Sequence, residues 1–290
     1  MHHQKIGPYL QHLTSSGRGP LALVFAEDEV EVAATLSHLL ALGFAEVALF
    51  TPPELQPPGL PETPRLHRID WQTNREFAVT TAVNKVISAA PGLWMHYCYN
   101  GEFLHYPFCE TRSIRDLVTF HAEERRDAIL TYVIDIYAGD LNRHPRGVAP
   151  RDEVYFDRSG YYALARLDPS LSNHPKDRQL DFFGGLRWRF EEHVPVNRRR
   201  IDRIGIFRAA PGLRLLDDHR FNIEEYNTYA CPWHNNITAA ICSFRTAKAL
   251  RTNPGSRQAI RSFVWRDSLR FEWRSQQLMD LGLMEPGQWF

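Results

Sequence analysis

GLWMHYCYNGEFL, spanning Gly92 to Leu104, decides the fold class of this chain. Leu93 to Tyr99 is a short, mostly apolar run dense in aromatics. That pattern suits a strand buried on both faces, as in a parallel sheet. Asn100-Gly101 breaks the strand. Glu102 then falls at its carboxyl end, where open α/β sheets bind ligands.

Working outward, Leu21 to Ala26 (LALVFA) reads as a buried strand. Glu27-Asp28 open an amphipathic helix with Val32, Leu36, Leu39, Leu40 and Phe44 at helical spacing. Its acidic first turn suits the helix dipole, and Gly43 closes it. Glu46 to Thr51 is a second strand, followed by a proline-rich loop from Pro52 to Pro64. Leu66 to Trp71 is a third strand and Asn74 to Ala89 a second helix. Strands interleaved with helices predict a Rossmann-like parallel sheet flanked by helices, an α/β fold.

Further along, Ser113 caps a helix to Arg125, and Ala128 to Tyr137 (AILTYVIDIY) is a buried strand. Leu141 to Phe182 is loop-rich and reads as a lid or acceptor-side excursion. Phe182 to Phe190 and Ile204 to Phe207 return to the sheet. Helices are expected at Thr238–Leu250, Gln258–Trp265 and Arg274–Leu281. No linker divides the chain, so residues 1–235 form one domain and 236–290 a helical extension packed on it.

The 290 residues carry 34 basic and 34 acidic side chains, a formal net charge of zero. A dedicated nucleic-acid binder shows a basic excess, so that class is set aside. The cysteines at 98, 109, 231 and 242 form no CxxC pair, which points to a reduced, cytoplasmic protein. No run reaches the ~18 apolar residues of a membrane span. The opening MHHQKIGPYLQHL lacks a signal-peptide core, and His2 and His3 receive no role.

Several segments together resemble the family 2-like glycosyltransferases of the GT-A type. FGGLRWRF (Phe183 to Phe190) is the most specific match. Leu93 to Pro107 is similar in register at Trp94, Glu102, Phe103, Leu104, Tyr106 and Pro107. EDEVEVAATLSHLLALGF, IDIYAGD, His219 in LLDDHRF and the closing SQQLMDLGLM are also of the family's type. The resemblance implies a GT-A-like mixed sheet with a helical C-terminal extension. It also implies transfer of a sugar from a nucleotide-sugar donor to a glycan or lipid acceptor.

In that family the strand ends in D-x-D-E-F-L, and the two aspartates hold a divalent cation on the diphosphate. Tyr99 and Gly101 stand at those positions here, and only Glu102-Phe103-Leu104 remain. A nucleobase carboxylate is replaced within Phe50-Thr51-Pro52-Pro53, and a late histidine segment within Ser243-Phe244-Arg245. The resemblance therefore implies a reaction without metal or cofactor. Arg187, Arg189, Arg203 and Arg245 would supply the charge that steadies the diphosphate. Glu102 or His219 would be the base. Glu27, Asp28, Asn100, Gly184, Gly185, Arg187 and Arg189 would surround the nucleotide sugar. Peripheral contact with the inner face of a membrane and homo- or hetero-oligomers fit the same picture.

Plainer readings stand beside these. Glu102 is a helix-capping or salt-bridged carboxylate, Asn100 forms a turn, and Gly184-Gly185 is a bend where backbones approach closely. His96, Cys98, His105 and Cys109 have a spacing that invites zinc, but their aromatic neighbours suit a packed core. Cys231, His234 and Cys242 suggest a Cys–His nucleophile without a supporting signature. Arg198 to Arg200 reads as a solvated face or a contact for anionic lipid. Asp217 or Asp218 would orient His219. The loss of several carboxylates also suits a catalytically inactive binding or regulatory partner with the same fold. In that case Tyr97 or Tyr99 would plug the cleft. An enzyme for another phosphorylated substrate is the third reading.

Overall fold

A computed structural model describes residues 1–16, 19–228 and 236–289. In chain order the strands and helices are β1 (His2–His3), α1 (Ile6–Ser16), β2 (Leu21–Phe25), α2 (Val32–Ala41), β3 (Glu46–Thr51), β4 (Leu66–Asp70), α3 (Ala78–Ala89) and β5 (Trp94–Tyr99). There follow β6 (Glu102–His105), α4 (Ile114–Glu123), β7 (Ala128–Ala138), β8 (Val154–Asp157), β9 (Tyr162–Asp168), β10 (His174–Phe183), α5 (Gly185–Arg189) and β11 (Asp202–Arg208). The chain closes with β12 (Ala239–Ser243), α6 (Arg245–Thr252), α7 (Pro254–Ala259), β13 (Ser268–Arg270) and α8 (Ser275–Asp280).

The backbone divides into two compact units, each assembled from separate stretches. The first comprises Met1–Phe103, Cys109–Leu130 and Ile204–Asn227. The second comprises Leu104–Phe108, Thr131–Arg203 and Thr228–Phe290.

In the first unit the strand order is β1-β4-β3-β2-β5-β11. β1, β4, β3, β2 and β5 run parallel, and β11 pairs antiparallel to β5 with Ile206 opposite His96. β2, β3 and β5 are buried almost throughout, as expected of parallel strands covered on both faces. The α/β class read from the sequence is the class observed. Right-handed crossovers put α2 and α3 on opposite faces, because the chain moves from β2 outward and then returns to β5.

Local details differ from the sequence reading. The helix after β2 begins at Val32, so Glu27 and Asp28 lie in the loop before it and its first turn holds no acidic residue. The expected helix from Asn74 begins at Ala78, where Phe77 takes a left-handed φ of 58°. Ser113 does cap α4: its hydroxyl accepts from the Asp116 amide, and the Asp116 carboxylate accepts from the Ser113 amide. His2 and His3, given no role above, form a strand parallel to β4.

His121, on the last turn of α4, is buried, and burial lowers its pKa to about 4. The unfolded chain holds that proton up to about pH 6.5, so it binds more protons than the native state between those values. The native state therefore loses stability as pH falls from 6.5 toward 4. The size is ~3 kcal/mol at pH 4 for this one group. His121→Gln should flatten the stability–pH slope by up to one proton in that window, measured by urea melts between pH 4 and 7. An unchanged slope would refute it.

In the second unit β12 runs parallel to β7, β8 antiparallel to β7, and β13 antiparallel to β8. The helix expected at Thr238–Leu250 is instead β12 followed by α6. Every residue of AAICS is buried, and a segment with no polar face fits a buried strand better than a surface helix. FFGGLRWRF likewise does not stay in the sheet: β10 ends at Phe183, and Gly185–Arg189 is a short helix. The stretch expected to be loop-rich holds β8 and a β9–β10 hairpin that exposes Tyr162, Leu164 and Leu167.

Candidate functional site

The chain leaves β2 toward β3 and β4 on one side, then returns to β5 on the other. Its topological switch point is therefore the crevice between the carboxyl ends of β2 and β5, the ligand position in open α/β sheets. The loop after β2 and the Asn100-Gly101 turn after β5 meet there. Asn100 is fully buried, and its amide is spent on the loop. Oδ1 accepts from the Glu27 amide at 2.8 Å. Nδ2 donates to Asp28 Oδ1 at 2.6 Å and to the Val30 carbonyl at 2.8 Å. A further contact runs to the Asp28 carbonyl at 3.2 Å.

This clamp holds Glu27 exposed and Asp28 half-exposed at the mouth of the crevice. Thr73, after β4, ties the same rim by donating from Oγ1 to the Ala26 carbonyl. Asn100 itself is structural in position, since its polar atoms face protein. Beside it lie the carboxylates of Glu27 and Asp28, the latter also accepting from the Val30 amide at 2.9 Å. Carboxylates at such a switch point accept hydrogen bonds from ribose or sugar hydroxyls.

Gly101 takes φ 76° and its amide donates to Thr35 Oγ1 at 2.9 Å. A side chain at this position would be strained, so a second aspartate does not suit this turn. Tyr99 is buried, with its ring 6.4 Å from that of Phe25. Glu102 is buried, and its Oε2 accepts from the Tyr99 amide at 2.9 Å. That bond spans the Asn100-Gly101 turn, a contact that is neither the helix cap nor the salt bridge of the plainer reading.

His219 sits on a turn with φ 62° between Leu215 and Phe221. Its ring stacks on Tyr97 at 5.9 Å, and Nδ1 lies 3.1 Å from the Tyr97 hydroxyl. The two aspartates expected to orient it have further partners of their own. Asp217 accepts from Thr80, and Asp218 pairs with Arg220. Tyr97 holds the ring by stacking and by its hydroxyl, a contact no sequence spacing shows.

The remaining expected residues belong to the second unit. Arg187 donates from Nη1 to the Arg200 carbonyl at 2.7 Å and from Nε to Thr246 Oγ1 at 3.1 Å, with Asp135 3.5 Å away. Arg189 binds Asp157 at 3.0 Å and lies over the Trp265 ring at 4.7 Å. Asp157 also accepts from Tyr137 and from Trp265 Nε1. Burial raises the carboxyls of both Asp135 and Asp157, while Arg187 and Arg189 respectively pull them back. Gly184 and Gly185 are required by packing. A Cβ on Gly184 would lie 2.2 Å from Tyr161, and one on Gly185 3.0 Å from Asp135.

Asp135, Asp157, Tyr137 and Trp265 were not picked out from the sequence. One signal was present: an aspartate inside the apolar run AILTYVIDIY. Arg203 is buried on β11, and the Arg245 amide donates to Ser243 Oγ. Arg199 pairs with Glu191, so the run Arg198 to Arg200 is in part internally compensated.

The His96, Cys98, His105 and Cys109 set does not converge as a metal cluster. His96 Nδ1 binds the Gly205 carbonyl at 2.7 Å, and His105 packs edge-on to Phe271. Cys231 and His234 lie outside the described residues. An open groove lined by Leu10, Thr81, Asn84, Lys85, Ser88 and Ala89 lies along α1 and α3.

No protein-family model matches this sequence, and no curated protein matches it. Among solved structures that resemble it are two of S. aureus TarS 1-349. The one in complex with UDP is 13% identical over 46% of this chain and 38% of that chain, with a TM-score of 0.25. The other is 12% identical over 71% of this chain and 55% of that chain, with a TM-score of 0.29. The chain thus spans about half or less of each TarS structure, and likenesses this distant assign no residue a role.

Proposed function

We propose that this chain is a glycosyltransferase that takes a nucleotide-sugar donor at the crevice between β2 and β5. The observation that carries the reading is the Asn100 clamp, which fixes Glu27 and Asp28 at the switch point of a parallel sheet. Carboxylates there hold a ribose or sugar diol, and the Glu102-Phe103-Leu104 and FGGLRWRF segments supply the family resemblance. The donor would be bound without metal at this crevice, because Tyr99 and Gly101 stand where the resembling proteins carry cation ligands. His219, held by Tyr97, is the base in this reading, and Glu102 closes the turn beneath the site. The acceptor is a glycan or lipid.

A second reading is favoured by a specific observation: Glu102 is buried and bound to a backbone amide, so a carboxylate base is already engaged. A glycosyltransferase-like fold kept for binding would look the same. Thermal shift with UDP, GDP, CMP and dTDP and their sugars, each with Mn²⁺ and with EDTA, tests the proposal. A ligand at ~100 times its dissociation constant adds ~2.7 kcal/mol, enough to move the midpoint by degrees. A shift with one nucleotide family, insensitive to EDTA and accompanied by slow release of free nucleotide from its sugar, supports the transferase. A shift without turnover favours the binding protein. No shift with any nucleotide overturns the transferase and leaves the non-catalytic partner protein.

A further inference from the structure

Four side chains from separate elements converge at the β1–β4–β3 edge of the first unit, away from the strand carboxyl ends that form the donor crevice. His12 is on α1, Glu46 opens β3, His67 is on β4, and His3 is on β1. One ligand atom each from His12, Glu46 and His67 lie within 4.8 Å of one another. His12 Nε2 is 3.1 Å from both Glu46 oxygens, and His67 Nε2 is 3.8 Å from Oε2. The His12 and His67 rings stand 4.7 Å apart. Two ligands at ~2.0–2.1 Å on a tetrahedral ion are ~3.3 Å apart, so the Glu46 pairs already fit to within about 0.5 Å and the two imidazoles close by up to about 1.5 Å.

The other face of His67 is already fixed. Its Nδ1 lies 3.2 Å from His3 Nε2, and the two rings stack at 5.4 Å. With the proton on His67 Nδ1 and donated to His3, His67 Nε2 would be a lone pair directed toward the Glu46 carboxylate. Two acceptors facing each other are stabilised by a cation between them. Beside them Tyr9 is fully buried, its ring 5.2 Å from that of His67, and its hydroxyl has no hydrogen-bond partner. A buried hydroxyl without a partner is rare, and a water or anion carried on a bound ion would give it one.

We propose that His12, Glu46 and His67 form a binding site for a divalent transition-metal ion, zinc by ligand type, with His3 as the positioning residue that orients His67. Two imidazoles and one carboxylate suit zinc over calcium or magnesium, which prefer all-oxygen shells. Three protein ligands leave a fourth position beside Tyr9. The ion joins α1 to the sheet edge. This site is independent of the donor crevice and stands whether or not the glycosyltransferase reading does.

The full chain, stripped with a chelator and desalted, is titrated with Zn²⁺ by calorimetry, and separately with Co²⁺ followed by visible absorption. One equivalent bound per chain, a raised thermal midpoint and a tetrahedral Co²⁺ spectrum are expected. His12→Gln and Glu46→Gln should weaken Zn²⁺ at least ~10-fold, and His3→Gln ~10-fold through ring orientation. His144→Gln removes a comparable His–Glu pair (His144 Nε2 to Glu153, 3.0 Å) and should leave binding unchanged. X-ray absorption on the unmutated chain loaded with Zn²⁺ should show a nitrogen and oxygen shell with imidazole scattering, whatever the fate of the variants. No stoichiometric uptake, sulfur in the shell, or affinity unchanged in both His12→Gln and Glu46→Gln overturns the proposal.

Discussion

Asp157→Ala is expected to destabilise the second unit by ~3–5 kcal/mol, the cost of leaving one partner of a buried ion pair uncompensated. Asp157 is fully buried and collects three donors: Arg189 Nη1, the Tyr137 hydroxyl and Trp265 Nε1. The Arg189 side chain is only 10% exposed, so its guanidinium cannot simply turn to water. Asp157→Asn keeps the shape and an acceptor for Tyr137 or Trp265 but loses the charge. It should cost roughly half as much. Urea melts with an unchanged m-value would read out both. A loss below ~1 kcal/mol for Asp157→Ala would mean that the arginine is hydrated and the cluster is not a buried pair.

The second large effect falls on the proposed donor site. Asn100→Ala removes four hydrogen bonds, to the Glu27 amide, the Asp28 and Val30 carbonyls and the Asp28 carboxylate. At about 1 kcal/mol each, the loss is ~4 kcal/mol. Asn100→Asp keeps the size and the acceptor for Glu27 but sets a carboxylate 2.6 Å from Asp28 Oδ1. Both variants release the loop 27–30, so nucleotide-dependent thermal stabilisation should vanish even at temperatures where the variants remain folded by circular dichroism. Retention of full nucleotide affinity in a folded Asn100→Ala would show that Glu27 and Asp28 do not hold the donor.

These two clusters differ in how far the chain announces them. Asn100-Gly101 was legible because a strand ending in Asn-Gly is a local pattern, and its place at a carboxyl end follows from strand order. The role of Asn100 was not legible, since its partners lie some 70 residues earlier. Glu102 shows the same limit: a carboxylate at a strand end suits a base, a cap or a salt bridge, and its 2.9 Å bond to the Tyr99 amide is visible only in the folded chain. AAICS sits beside good helix formers, and its place as a strand comes from its parallel pairing with β7 more than 100 residues earlier in the chain.

The sequence by itself determined the α/β class, the strand–helix alternation through Tyr99, and Ser113 as the N-cap of α4. Those are properties of residues near one another in the chain, where periodicity, turn chemistry and capping act. Tertiary structure alone decided that Asn100 clamps the acidic loop and that Tyr97 orients His219. It also decided that Asp135 and Asp157 face Arg187 and Arg189, and that His12, Glu46 and His67 meet on three elements. Each depends on which strands become neighbours in the sheet, and sheet order is set by long-range burial of whole faces rather than by any spacing along the chain.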